Sequence, residues 1–169
     1  MKKVVMVIPE NAYRDEELNL SKAILENNGA EVKIASTALK QVKGMLGASA
    51  QPDILLQDTD ALKFDGVVFI GGMGTEQYWN NPLAQQLAIN AFSNNRIVAA
   101  ICIAPVILAN AGILKGKRAT VSPSEAALLT AKGAKYTGRP VERDGNIITA
   151  SGPSATTDFA NEIVKALNR

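Results

Sequence analysis

The sequence predicts an α/β fold: one domain over residues 1–169, with a doubly wound, mostly parallel sheet sandwiched by helices. Three observations lead to it. Apolar, β-branched runs alternate with helical patterns along the whole chain, as parallel strands joined by crossover helices do. Several of those runs have no polar face, which suits strands covered on both sides. No composition break, repeat or low-complexity tract marks a linker. At 169 residues, 47% hydrophobic and 20% charged, the chain is long enough to bury a core.

Val4 to Ile8 is the first buried strand. With Lys2 and Lys3 before it, it has the look of a secretory leader, but the apolar run is short and Glu10 and Arg14 to Glu17 follow at once. A helix runs from about Asp15 to Asn28 and ends at Gly29, the usual residue just past a helix C-terminus. Glu31 to Ala35 is the second strand. Residues 40–60, with Gly44, Gly47 and Pro52, are irregular and have room for a hairpin. Gly66 to Ile70 is the third strand and ends in the turn Gly71-Gly72. Pro82 opens the next helix, where Leu83, Leu87 and Ala91 recur at helical spacing. Ile97 to Ile101 is a strand and Ala104 to Ala111 the helix after it. Arg118 to Val121 reads as a further short strand, followed by a helix over 124–131. Asp144-Gly145 is a hairpin turn before Asn146 to Ala150. Ser154 is placed as the N-cap of a last helix that aligns Phe159, Ile163, Ala166 and Leu167. Ligand sites in such sheets lie beyond the carboxyl ends of the strands. The loops after Ile8, Ile70, Ile101 and Val121 are therefore the ones to watch.

Composition removes several functions. There is no histidine, so imidazole is not available as a base, proton shuttle or metal ligand, in one chain or in a homo-oligomer. Catalytic zinc sites depend on histidine or several cysteines, so no metal and no cofactor is expected. The single cysteine cannot form an internal disulfide, which suits a reducing, cytoplasmic setting. The net charge of +2 is scattered rather than gathered into a basic stripe, so no nucleic-acid partner is expected. Ile97 to Leu114 holds 18 residues without a charge. Pro105, Asn110 and Gly112 lie within it, and a buried strand feeding a buried helix explains it better than a membrane span.

Ile101-Cys102-Ile103-Ala104-Pro105 is the strongest local signal. A cysteine between a buried strand and a helix start sits among free backbone N–H groups, which favour the thiolate and predict a lowered pKa. It is the elbow device of hydrolases without their flanking glycines. The plain alternative is a cysteine packed as a small hydrophobe.

These pieces, in this order, resemble the ThiJ/PfpI family, which includes the parkinsonism-associated protein and the archaeal intracellular proteases. The resemblance covers nearly the whole chain. It rests on Asp15-Glu16-Glu17-Leu18, on Gly71-Gly72 followed by Glu76, on Ala100-Ile101-Cys102 with Pro105, and on Glu142 to Thr149 leading to Gly152-Pro153. It implies a flavodoxin-like fold, as in class I glutamine amidotransferases, and a homodimer or higher homo-oligomer. It implies that Cys102 is the reactive cysteine and that the Glu17 carboxyl group hydrogen-bonds its sulfur. It places an oxyanion hole at the amides of Gly72 and Ile103, beside Gly71. It aligns Glu76 with an acidic residue that, in the protease branch, reaches a neighbouring subunit's histidine.

Two departures limit what carries over. Ile103 stands where the protease branch has histidine, and Ser122 where another branch has one. A Cys-His dyad cannot form, and a peptidase needs that base. The expected function is instead a weak glyoxalase- or deglycase-like activity on a small carbonyl compound, with Glu17 as proton shuttle. A redox-sensing or stress-response protein that responds to an oxidant through Cys102 is the alternative. Bland roles stand beside the special ones: Glu17, like Asp15 and Glu16, offsets the helix dipole, Glu76 is a surface charge, and Gly71 and Gly72 shape a turn. Ser122, Ser151 and Thr156 are ordinary turn or cap residues near strand ends. Gly72-Met73-Gly74 opens like a dinucleotide fingerprint but lacks its third glycine and its place after the first strand.

Overall fold

Continuous apolar stretches dictate the centre of the molecule. In the computed structural model, which describes residues 1–169, the chain forms β1 (Lys3–Val7), α1 (Asp15–Asn27) and β2 (Glu31–Ser36) in turn. A small hairpin follows, β3 (Val42–Lys43) with β4 (Ser49–Ala50), and then β5 (Ile54–Leu55) and β6 (Gly66–Phe69). Next come α2 (Pro82–Ser93), β7 (Ile97–Ile101), α3 (Pro105–Asn110), β8 (Arg118–Ala119) and α4 (Ala126–Ala131). The chain closes with β9 (Lys135–Tyr136), β10 (Val141–Asp144), β11 (Ile147–Ala150) and α5 (Thr156–Leu167). The main sheet has seven strands in the order β10-β11-β7-β6-β1-β2-β5. Every neighbour pair is parallel except β10 with β11.

Side chains alternate across the central strands and so feed two cores. Val5, Val7, Val67, Phe69, Val98 and Ala100 face α2, α3 and α4. Val4, Met6, Val68, Ile70, Ala99 and Ile101 face α1 and α5, where Leu18, Leu25, Phe159 and Ile163 meet them. Because β1, β6 and β7 are covered on both sides, their sequences carry no polar face. Their carboxyl ends come out side by side, which brings the loops after Val7, Phe69 and Ile101 together. The uncharged run from Ile97 to Leu114 is β7 followed by α3, and no helix is long and apolar enough to cross a membrane.

Three expectations need correction. Arg118–Ala119 is not a strand of the main sheet; it pairs with β9 in a separate two-stranded ribbon. The place beside β7 goes to β11, whose Ile147, Ile148 and Ala150 are buried where Arg118 could not be. Ser154 is not the cap of α5: a 3-10 turn over Pro153–Ala155 precedes that helix, and Thr156 donates to the Pro153 carbonyl at 2.7 Å. The irregular 40–60 segment does contain the hairpin, but it also contributes β5, an edge strand of two residues beside β2.

Candidate functional site

Cys102 ends β7 in the left-handed region, with φ of 67°, a conformation that costs a non-glycine residue roughly 1–2 kcal/mol. Neighbouring backbone bonds hold it there. Its N–H donates to Ala150 at 3.0 Å, and its carbonyl accepts from the Ser122 N–H at 2.8 Å. The chain therefore turns sharply between strand and helix, and the partly buried thiol sits at the corner. The amides of Gly72 and Ile103 lie near enough to the sulfur to favour its ionised form.

Glu17 comes from the first turn of α1 and is fully buried, although it lies in a helix whose outer face is polar. One carboxyl oxygen, Oε1, accepts the Gly71 N–H at 3.0 Å. The other, Oε2, is buried with no hydrogen-bond partner, and the carboxyl group lies beside the Cys102 side chain. Gly71 fits between them because it has no side chain. A Cβ there would lie 2.5 Å from the Cys102 Cβ and 2.6 Å from Glu17 Oε1. Gly71→Ala is expected to force the pair apart and to destabilise the fold by about 1–3 kcal/mol, read by chemical denaturation. The second glycine, Gly72, has φ of 113° and packs against the backbone of residues 12–14.

Burial is the first cause that raises Glu17, to about 8, with the Gly71 amide pulling the other way. Burial, and then the Glu17 charge, push the Cys102 thiol up to about 11 against the Gly72 and Ile103 amides. The lowered cysteine pKa expected from the elbow is thus reversed: the amides are present, but desolvation and the neighbouring carboxylate outweigh them. At neutral pH the buried pair keeps its protons, and the first leaves near pH 8.

The sulfur opens into a cavity of about 310 Å³. Met45, Met73, Trp79, Ile103 and Pro153 provide its apolar wall; Arg14, Glu76 and Glu125 are its charged residues. Arg14 is bonded twice to Glu16, at 2.8 and 2.9 Å. The Trp79 indole N–H donates to the Ile103 carbonyl at 3.0 Å and fixes that side of the elbow. Asp15 does more than offset the dipole. It accepts the amides of Leu46 and Ala48 at 2.9 and 2.8 Å, tying the β3–β4 hairpin and Met45 to the site. Burial opposes its ionisation, but these amides hold its carboxyl below the usual range.

Cys102, Glu17, Gly71, Gly72 and Ile103 therefore meet at one point. Glu76 is exposed on the cavity wall. The Gly71 amide is committed to Glu17, which makes Gly71 a positioning residue. Ser122 contributes its amide to the Cys102 carbonyl, while its hydroxyl lies 3.3 Å from that of Ser124 and is not on the cavity wall. Tyr78 is buried with its hydroxyl on the Ile8 carbonyl at 2.7 Å. Arg14, Met45 and Glu125 were not singled out from the sequence, and Pro153 entered only as part of the family pattern; they reach the cavity from separate loops. No group of three or more Cys, Asp or Glu side chains converges as metal ligands would.

An elbow cysteine beside a buried carboxyl group, at the carboxyl edge of a parallel sheet, defines a class of α/β proteins with a candidate thiol centre. The family model for the DJ-1/PfpI family matches residues 2–166, and the chain belongs to that family. It is 41% identical to an uncharacterized protein of Methanocaldococcus jannaschii, over 99% of this chain and 83% of that protein. It is 31% identical to a deglycase of Pyrococcus horikoshii, over 96% of this chain and 98% of the relative. The crystal structure of a ThiJ/PfpI domain protein from Brachyspira murdochii superposes with a TM-score of 0.96 at 36% identity, covering 98% of this chain and 96% of the other.

Proposed function

We propose that this chain is a cysteine-dependent enzyme acting on small dicarbonyl compounds such as methylglyoxal, with Glu17 as its proton shuttle. The observation that supports the reading is the pairing of buried Glu17 with Cys102, whose partly buried thiol lines an enterable cavity. The deglycase activity named for the Pyrococcus relative agrees with it.

The chemistry needs no histidine. When the pair has lost one proton, Sγ attacks the aldehyde carbon and a C–S bond forms. The carbonyl π electrons move to oxygen, where the Gly72 and Ile103 amides stabilise the negative charge. Glu17 accepts the thiol proton and passes it to that oxygen. As a carboxylate again, it removes the aldehyde-derived C–H proton to give an enediol and returns that proton to the neighbouring carbon, while the hydroxyl proton passes from the first oxygen to the second, leaving a 2-hydroxy thioester. Water then cleaves the C–S bond, releasing the 2-hydroxy acid and the thiol. The balance is one dicarbonyl and one water in, one hydroxy acid out. Consumption of methylglyoxal by the purified protein, with a rate that rises as pH passes through about 8, tests the reading; no consumption at saturating substrate overturns it.

One observation favours a second role for the same thiol. Near neutral pH the raised Glu17 carboxyl group carries a proton that it can donate to an oxidised sulfur. One hydrogen peroxide would transfer an oxygen to Cys102 and leave as water, giving the sulfenic acid, and a second would do the same to give the sulfinic acid. Selective sulfinate formation at Cys102 without dicarbonyl turnover would give this role precedence.

A further inference from the structure

The charged residues around the sulfur are unequal in sign. Three of the cavity's lining residues carry formal charge: Arg14, Glu76 and Glu125. The Arg14 guanidinium is already engaged by the Glu16 carboxylate through two hydrogen bonds, so much of its field is cancelled at its source. Neither carboxylate has an Arg or Lys partner within ion-pair distance. The only side-chain bond to either is the Ser124 hydroxyl on Glu125, at 3.3 Å. They come from different elements: Glu76 from the 3-10 turn after the glycine loop, Glu125 from the turn before α4. The rest of the wall is largely apolar and includes Cys102, with the fully buried Glu17 behind it. A cleft with apolar walls and one excess sign of charge focuses that field on whatever enters.

We propose that this cavity selects cationic electrophiles: Glu76 and Glu125 make it a site for carbonyl compounds that carry an ammonium or guanidinium group, and against those that carry a carboxylate. The proposal rests on the proposed function for Cys102 as the reacting atom, but not on turnover. The selection is local and runs against the whole chain, whose formal charge of +2 would draw anions.

The test uses three methanethiosulfonate reagents of similar size: a trimethylammonium-ethyl cation, a sulfonatoethyl anion and the neutral methyl compound. In each, the Cys102 sulfur attacks the sulfenyl sulfur, an S–S bond forms, methanesulfinate leaves and the thiol proton goes to solvent. Each rate is divided by that reagent's rate with a free small thiol. The corrected cation-to-anion ratio at Cys102 is expected to be about tenfold or more at low salt and to fall toward one at high ionic strength, as screening requires. Glu76→Gln with Glu125→Gln should bring it to about one. Using a ratio cancels any change in thiol reactivity, and the measurement on the parent stands even if the double variant fails to fold. A parent ratio of one or below, showing that Arg14 governs the cavity, overturns the proposal. So does a cation preference that the double variant keeps. Methylglyoxal assays on the parent judge the catalytic reading separately, because that substrate is neutral.

Discussion

Methylglyoxal consumption is expected to fall to the uncatalysed rate in Cys102→Ala. The chain holds one cysteine and no histidine, so no second nucleophile of comparable strength and no imidazole base can take over. The fold should survive, because the partly buried Cys102 packs at the edge of the α1/α5 core rather than inside it, and the backbone bonds at Cys102 do not involve its side chain. Turnover that persists in a folded Cys102→Ala protein would remove the thiol from the mechanism. Circular dichroism beside the rate measurement separates that outcome from unfolding.

Glu17→Gln is the second large effect, and it has two parts. Loss of the proton shuttle should lower turnover on the order of a hundredfold or more. Stability should change in the opposite direction at alkaline pH. The ordinary glutamate pKa is 4.5 and the folded value about 8, so between those limits the native state keeps a proton that the unfolded chain has released. Stability then falls as pH rises: the contribution is complete below about 4.5 and is gone once pH has passed through about 8. The substituted amide cannot ionise, keeps an oxygen for the Gly71 N–H and removes this slope. The variant should be the more stable protein at pH 8 to 9, by a few kcal/mol at most. Thermal unfolding of both proteins from pH 5 to 9 reads the difference; parallel curves would mean that burial does not hold Glu17 protonated.

The main sheet was legible wherever burial on both faces leaves an apolar run, as in Val4 to Ile8, Gly66 to Ile70 and Ile97 to Ile101. The helices were legible where Gly29 or Pro82 marks an end. β5 was not, because two residues carry no period and their place is decided by pairing with β2. Arg118 to Val121 has strand-like composition, but only tertiary packing decides that β11 takes the place beside β7. Cys102 stood out locally. Glu17 did not, since a first-turn glutamate beside Asp15 and Glu16 looks like a dipole partner, and its role came from family resemblance. The direction of the Cys102 shift was not legible for a related reason: free amides can be inferred from an elbow, but the burial that outweighs them belongs to the assembled core. Glu125 reaches the cavity through a fold in the chain that no spacing announces.

The coupling of Glu17 to Cys102 is the claim on which the chemistry depends, and the pH dependence of Cys102 alkylation measures it directly. The parent should titrate in two steps, near pH 8 and near pH 11, because the pair releases its protons one after the other. Glu17→Gln should show a single step, since only the thiol remains to ionise. The same single titration in both proteins would contradict the coupling and leave Glu17 as a buried carboxyl group with no part in the reaction.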